Sequence, residues 1–184
     1  DSTFFHCVDD FLVVENLVKK ILAEYDVLLL SGGVSAGKRD FIPELLNDLG
    51  VDTLFHKVSQ RPGKPLLFGR KAGPAVFALP GNPVSAFMCT CRYVLPWIEK
   101  SLGMDKPTEE WAFLTDSLAF KPDLTWFVPV KIENEKGVLR ACPKPGHGSG
   151  DLANLQAADG FLELPKGQNE YGTDKAFRLI RYRF

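Results

Sequence analysis

No apolar run in this 184-residue chain approaches the roughly 18 residues needed to cross a bilayer, so no membrane helix is expected. No charged segment leading into an apolar one opens the chain, so no signal peptide is expected either. Charge of one sign is also lacking. Lys and Arg number 22 against 23 Asp and Glu, a formal net charge of -1, which removes the basic excess of a nucleic-acid binder. Anion recognition, if present, must be local. Cysteine is scarce: Cys7, Cys89, Cys91 and Cys142. One residue separates Cys89 from Cys91, which puts them on different faces of an expected helix, and no second pair follows at zinc-ligand spacing. Free thiols in a reducing cytoplasm are expected. The chain opens on Asp1 without an initiator methionine, as an excised fragment would. Internal repeats and low-complexity tracts are absent as well.

With 45% hydrophobic and 24% charged residues, a core of ordinary size is available. Phe11, Val14, Leu17, Val18, Ile21 and Leu22 recur at three- and four-residue spacing behind Asp9-Asp10, which predicts a capped helix to Tyr25. Asp26 to Leu30 is a short continuous apolar run closed by glycines, which predicts a strand buried on both faces. A helix over 41–49 ends at Gly50, and strands are expected over 51–58, 66–68 and 75–79. Pro83 suits the first turn of a long helix reaching about Leu102. This alternation of helix and strand predicts an α/β layered, mixed sheet over residues 1–104. Beyond a linker near Gly103 to Lys106 the pattern turns to strand lengths with turn residues between them. Strands are expected over 111–120, 124–133, 137–141, 161–164 and 176–182, with helix only over 151–157. Residues 105–184 thus read as a small β-barrel-like domain, with Trp111 and Trp126 in its core.

Three segments could carry chemistry. Ser31-Gly32-Gly33-Val34-Ser35-Ala36-Gly37 follows a strand directly, where open α/β sheets bind ligands. Its glycines let the backbone approach an oxyanion, and Ser31 and Ser35 add hydroxyl donors. It lacks both the Gly-Lys-Ser/Thr ending of a P-loop and the G-x-G-x-x-G spacing of a dinucleotide site. Asp40 follows, as either the cap of the next helix or a group for a metal ion or a heterocycle. Arg61-Pro62-Gly63-Lys64-Pro65 is a loop stiffened by two prolines, which presents Arg61 and Lys64 together at low entropy cost. The alternative is a pair of solvated charges on a surface turn. Gly81, Asn82, Pro83 and Ser85 stand where a strand gives way to a helix, whose first-turn N–H groups favour anions unless the segment is simply a capped helix start. In the later part, Gly146-His147-Gly148-Ser149-Gly150 exposes backbone N–H groups. His6 and His56 read as ordinary structural or surface residues.

Together these residues resemble the molybdopterin molybdenumtransferases, the family of MoeA and the gephyrin E domain. The resemblance rests on Ser-Gly-Gly-Val-Ser (31–35), Asp40, Pro-Gly-Lys-Pro (62–65), Leu-Pro-Gly-Asn-Pro-Val-Ser-Ala (79–86) and Gly-His-Gly-Ser-Gly-Asp-Leu (146–152), in that order. It covers nearly the whole chain. It implies a molybdopterin-binding α/β fold followed by a β-barrel-like domain. It implies insertion of molybdate into adenylylated molybdopterin with release of AMP, assisted by Mg²⁺, in a cytoplasmic homodimer. Asp40 would then serve catalysis and the metal, with Arg61 and Lys64 beside molybdate. Ser31, Gly32, Gly33, Ser35, Gly81, Asn82, Pro83, Ser85 and Ser149 would hold the pterin and its phosphate. The family carries further N-terminal domains and an acidic Thr-Gly-Asp-Glu-like segment that this chain lacks, so the chain alone is expected to be inactive. A pterin-binding or peptide-clamping scaffold of the gephyrin type is the alternative.

Overall fold

The computed structural model describes residues 1–8, 10–33, 41–105, 108–144 and 152–183, with backbone alone for 152–154. Two compact units emerge, one of Asp1–Lys57 with Pro65–Gly81 and one of Val58–Lys64 with Asn82–Phe184.

The first unit starts with α1 (Phe11–Glu24). Its cap is Asp10, whose carboxylate accepts the Val13 N–H at 3.1 Å. Val14, Val18, Ile21 and Leu22 form the buried stripe that the spacing predicts. Strand β1 (Val27–Ser31) follows, then α2 (Ile42–Asp48), β2 (Asp52–His56), the two-residue β3 (Gln60–Arg61) of the second unit, β4 (Leu67–Arg70) and β5 (Ala75–Leu79). The sheet order is β1-β5-β4-β2, with β1 parallel to β5 and the other pairs antiparallel. This is the mixed α/β sheet expected. The buried faces of α1 and α2 meet Leu28, Leu67, Val76 and Ala78 in one core. Each valine, leucine or isoleucine among them contributes about 1.5–3 kcal/mol when withdrawn from water.

One expectation needs correction here. β1 is not buried on both faces: Leu28 is 5% exposed but Leu29 is 48% exposed. As the edge of the sheet it has a neighbour on one side only. The continuous apolar burial it seemed to promise belongs to β5, all of whose residues are buried. Asp40, expected as a possible cap of α2, lies outside the described residues. The N-cap position falls to Phe41, which makes no side-chain cap bond, and Pro43 lies in the first turn. The helix ends as predicted: Gly50 takes φ +75, and the N–H groups of Gly50 and Val51 return to Asn47 and Leu46.

In the second unit, α3 (Pro83–Cys89), a π-turn (Thr90–Val94) and α4 (Leu95–Ser101) run as one helix. Leu95 N–H reaches back five residues to Thr90. The wide turn lies just ahead of Pro96, which has no N–H to give a regular helix. The remaining elements are β6 (Glu110–Leu114), β7 (Leu118–Ala119), β8 (Thr125–Glu135), β9 (Val138–Pro143), α5 (Leu152–Ala157), β10 (Gly160–Leu164), β11 (Glu170–Tyr171) and β12 (Ala176–Arg181). Strands run in the order β10-β12-β6-β9-β8, and β8 pairs again with β10, closing a five-stranded barrel. β3 adds to β8 in parallel outside this ring.

The barrel core gathers Ala112, Leu114, Val128, Val130, Leu162, Leu164, Tyr171 and Leu179. Trp126 packs against it, stacked on Phe120 at 4.6 Å. Trp111 was expected inside and is not, being 53% exposed. Strand alternation gives the interior to Ala112 and Leu114, its neighbours in β6. The single strand expected over 111–120 is divided into β6 and β7. Among the described residues no helix is long and apolar enough to cross a membrane.

Candidate functional site

The strongest local geometry joins the exits of β1 and β5. Their parallel register sets Ser31 opposite Leu79. Gly32 N–H donates to Leu79 O at 3.2 Å, one step beyond the ladder. Gly32 then turns at φ +100 and Gly33 at φ +69, backbone that disfavours a side chain. A Cβ on Gly81 would lie 3.4 Å from Gly32 Cα, and one on Gly33 would run into Ile42 at 2.6 Å. Ser31, Gly32, Gly33 and Gly81 therefore meet at the carboxyl ends of adjacent parallel strands, where an open α/β sheet admits ligands. Ser31 and Gly81 are exposed. Ser35 and Asp40 lie outside the described residues, as does Ser149.

In the second unit, Asn82 caps α3 rather than merely preceding it. Its Oδ1 accepts from Ser85 N–H at 3.0 Å and from Ser85 Oγ at 3.1 Å. Ser85 is 5% exposed, and its hydroxyl proton is committed to Asn82. Among the described residues the amide nitrogen of Asn82 has no acceptor, so both its protons are free of the cap. Pro83 has no N–H, and Ala86 N–H goes to Asn82 O. Val84 N–H is thus left as the first-turn donor without an acceptor among the described residues.

Arg61 and Lys64 are both exposed, and the loop between them is tied down. Gln60 and Arg61 pair with Thr125 and Trp126 of β8, so this segment starts as a strand of the barrel sheet rather than a free turn. The Arg61 guanidinium lies 5.9 Å from the centre of the Phe120 ring. Val58 N–H donates to Lys64 O at 2.8 Å, and the Arg61–Pro62 peptide is cis. Beneath lies a group that sequence reasoning missed: the buried Gln60 and Cys89 with the half-buried Tyr93. No sequence signal marks Gln60. Pro96 could have signalled the irregular turn that carries Tyr93.

The thiols behave as expected of structural cysteines. Burial pushes Cys89 up to about 12 and Cys91 up to about 11, so neither is a thiolate near neutral pH. Burial likewise raises Tyr93 to about 12, which keeps its hydroxyl a donor. Among the described residues no three His, Cys, Asp or Glu side chains gather where they could hold a metal ion. His56 Nε2 is buried without a partner among the described residues, and nothing in the structure explains it.

Comparison with known proteins matches residues 2–100 to a probable molybdopterin binding domain and residues 112–177 to the MoeA C-terminal region (domain IV). The chain is 39% identical over 175 residues to a molybdopterin molybdenumtransferase of Synechocystis sp., covering 94% of this chain and 42% of that protein. It is 30% identical over 168 residues to the Bacillus subtilis molybdopterin molybdenumtransferase, covering 90% and 39%. A crystal structure of a molybdopterin biosynthesis MoeA protein from Pyrococcus horikosii superposes with a TM-score of 0.74 at 27% identity, over 93% of this chain and 41% of that one. The chain thus spans about two fifths of the length of these relatives.

Proposed function

We propose the following for this chain, which belongs to the MoeA family of molybdopterin-binding proteins. It forms the later part of a molybdopterin molybdenumtransferase, whose reaction converts adenylylated molybdopterin and molybdate into molybdenum cofactor and AMP. The chain spans about two fifths of these relatives' length, so the activity proposed is that of the whole protein. Its division near 104/105 is supported by the separate matches to 2–100 and 112–177. The parent enzyme works as a cytoplasmic homodimer.

The observation that carries this reading is the Gly32 N–H bond to Leu79 O, which brings two glycine-bearing exits to one strand edge. Substrate phosphate would take backbone N–H groups there, with Ser31 and Ser35 beside it. Asn82 would offer the two amide protons that capping does not use, with Pro83 and Ser85 fixing its loop. Ser149 is proposed as a further donor to the same phosphate. Molybdate, dithiolene and phosphoanhydride are all anionic, so their mutual repulsion is the main obstacle. Arg61 and Lys64 would offset it by fixed positive charge. A molybdate oxygen or a water attacks the anhydride phosphorus, the P–O bond between pterin phosphate and AMP breaks and AMP leaves, while the two dithiolene sulfurs take molybdenum as one of its oxo groups departs as water. No protein nucleophile is needed.

Mg²⁺ is the expected cation, with Asp40 as its ligand. The described residues alone do not build a site for it, and no step is routed through the ion.

Calorimetric titration of the chain with molybdopterin and with its adenylylated form tests the reading. Binding that weakens in Asp40→Ala and Asn82→Ala supports it. Peptide binding without pterin binding would transfer support to the scaffold alternative.

A further inference from the structure

Gln60 is 1% exposed, the largest fully buried polar side chain in the molecule's described core. An amide in such a place is unfavourable unless its donors and acceptor are used. Here they are. Gln60 Nε2 donates to Gly63 O at 3.1 Å and lies 3.6 Å from Cys89 Sγ, while Gln60 Oε1 accepts the Tyr93 hydroxyl. Gly63 completes the fit. It takes φ +87, and a Cβ on it would meet Cys89 Sγ at 2.6 Å and Gln60 Nε2 at 2.9 Å. The loop backbone is thus pressed onto the helix with no side chain between. Tyr93 belongs to the π-turn, whose extra residue changes the direction in which following side chains leave the helix. On the other flank, Thr125 N–H donates to Ser59 O at 3.0 Å and Val58 N–H to Lys64 O at 2.8 Å. The backbone is therefore held at Ser59, Gln60, Gly63 and Lys64, while the Arg61 and Lys64 side chains stand exposed.

We propose that Gln60, anchored by Tyr93, is a positioning residue that holds the Arg61–Lys64 loop in one conformation and so pre-sets its two cations for an oxyanion. The proposal rests on the reading of this loop as the molybdate-contacting segment. Neither Gln60 nor Tyr93 needs to touch the anion. Their effect is to remove the ordering cost that a mobile loop would pay on binding, and binding gains whatever ordering is done beforehand. Filling the same space with an apolar side chain would keep the packing but leave Gly63 O with only the longer contact from Cys89 Sγ at 3.9 Å and the Tyr93 hydroxyl without its acceptor.

The test uses Gln60→Met and Tyr93→Phe in the full chain, with two independent readouts. The first is the backbone amide order parameter at Gly63 and Lys64. It should fall from the rigid range near ~0.85 towards ~0.6 or below in both variants, with β8 and β10 unchanged. The second is molybdate affinity by calorimetry well below the melting temperature. It should weaken about tenfold in each variant, the scale of one lost rotamer-ordering contribution. Lys64→Gln should weaken molybdate binding as well, and adding Tyr93→Phe to it should cost less than Tyr93→Phe alone, because one of the two cations that the tether positions is then gone. A lower melting temperature with unchanged order parameters would overturn the proposal and leave Gln60 as packing alone. If Lys64→Gln leaves molybdate affinity intact, the reading of the loop as an anion contact fails. The tether is then decided by the order parameters, which do not depend on any ligand.

Discussion

Gly32 and Leu79 are joined by a backbone hydrogen bond of 3.2 Å that continues the β1–β5 register past the end of the ladder. The bond holds Gly32 where its φ is +100, a conformation that non-glycine residues adopt only with strain. Gly32→Ala is therefore expected to cost about 1–3 kcal/mol, although a Cβ there meets nothing within 4 Å. Gly103, at φ +71 and equally open, is the control. Both alanine variants should lose stability in chemical denaturation. Only Gly32→Ala should also weaken binding of adenylylated molybdopterin. Equal loss of affinity in both would remove the β1–β5 exit from the site.

Asn82 serves two ends with different atoms, and substitution can separate them. Its Oδ1 caps α3 through Ser85, so Asn82→Ala should cost about 1 kcal/mol. For a chain of this size that is about 2–4 °C in Tm. Asn82→Asp keeps an oxygen for the cap and suits the helix N-terminus, so its Tm should stay near that of the parent. It also removes both amide protons and adds a negative charge. Pterin phosphate affinity should therefore fall further in Asn82→Asp than in Asn82→Ala, measured by titration calorimetry. The reverse order would mean that Asn82 is a cap and nothing more.

Four weak acids, Cys89 buried and Cys91, Tyr93 and Tyr182 half-buried, predict an alkaline limit. Burial raises Cys89 from 9.0 to about 12 and Cys91 from 9.0 to about 11. Burial likewise raises Tyr93 and Tyr182 from 10.0 to about 12. In the unfolded chain these groups release protons at their ordinary values, while the folded chain retains them. The folded state then binds more protons, so stability falls as pH rises through the window from 9.0 to about 12. Below that window all four are protonated in both states and contribute no slope. Urea midpoints should be flat between neutrality and the lower edge, then decline, and the decline should be shallower in Tyr93→Phe. An unchanged slope in that variant would contradict the half-buried Tyr93 phenol as a source.

Much of the fold was legible because its signals are local. The spacing of Val14, Val18, Ile21 and Leu22 marks α1, and Ala75–Leu79 has both the length and the composition of a central strand. Errors came where burial depends on neighbours distant in sequence. Leu29 is as apolar as Phe77 opposite it, but β1 is an edge and β5 is not. Trp111 is larger than Ala112, yet the phase of β6 assigns the interior to the smaller residue. The barrel's closure through β8 and β10 and the parallel pairing of β6 with β9 left no mark on the local pattern. In the site, the glycine exits could be read because backbone conformation constrains residue type. The Gln60 amide could not, since its partners at Gly63, Cys89 and Tyr93 come together only in three dimensions.

Barrel closure itself is testable at Gly160. This residue pairs with Val130 of β8 and with Arg181 of β12, so it stands where the ring is completed. A Cβ there would meet Ile180 O at 2.8 Å, Leu179 Cδ1 at 3.0 Å and Arg181 Cα at 3.2 Å. Two of the three obstacles are backbone, which cannot swing aside as a side-chain tip can. Gly160→Val should therefore destabilise the second unit by at least the ~1–3 kcal/mol of ordinary overpacking. Trp97, Trp111 and Trp126 all lie in that unit, so tryptophan fluorescence reports on it without contribution from the first. Its urea midpoint should fall in Gly160→Val by more than in Gly167→Ala, where φ is +90 but nothing lies within 4 Å. Equal shifts would attribute the loss to backbone conformation or strand propensity and would leave the crowding at the closure without effect.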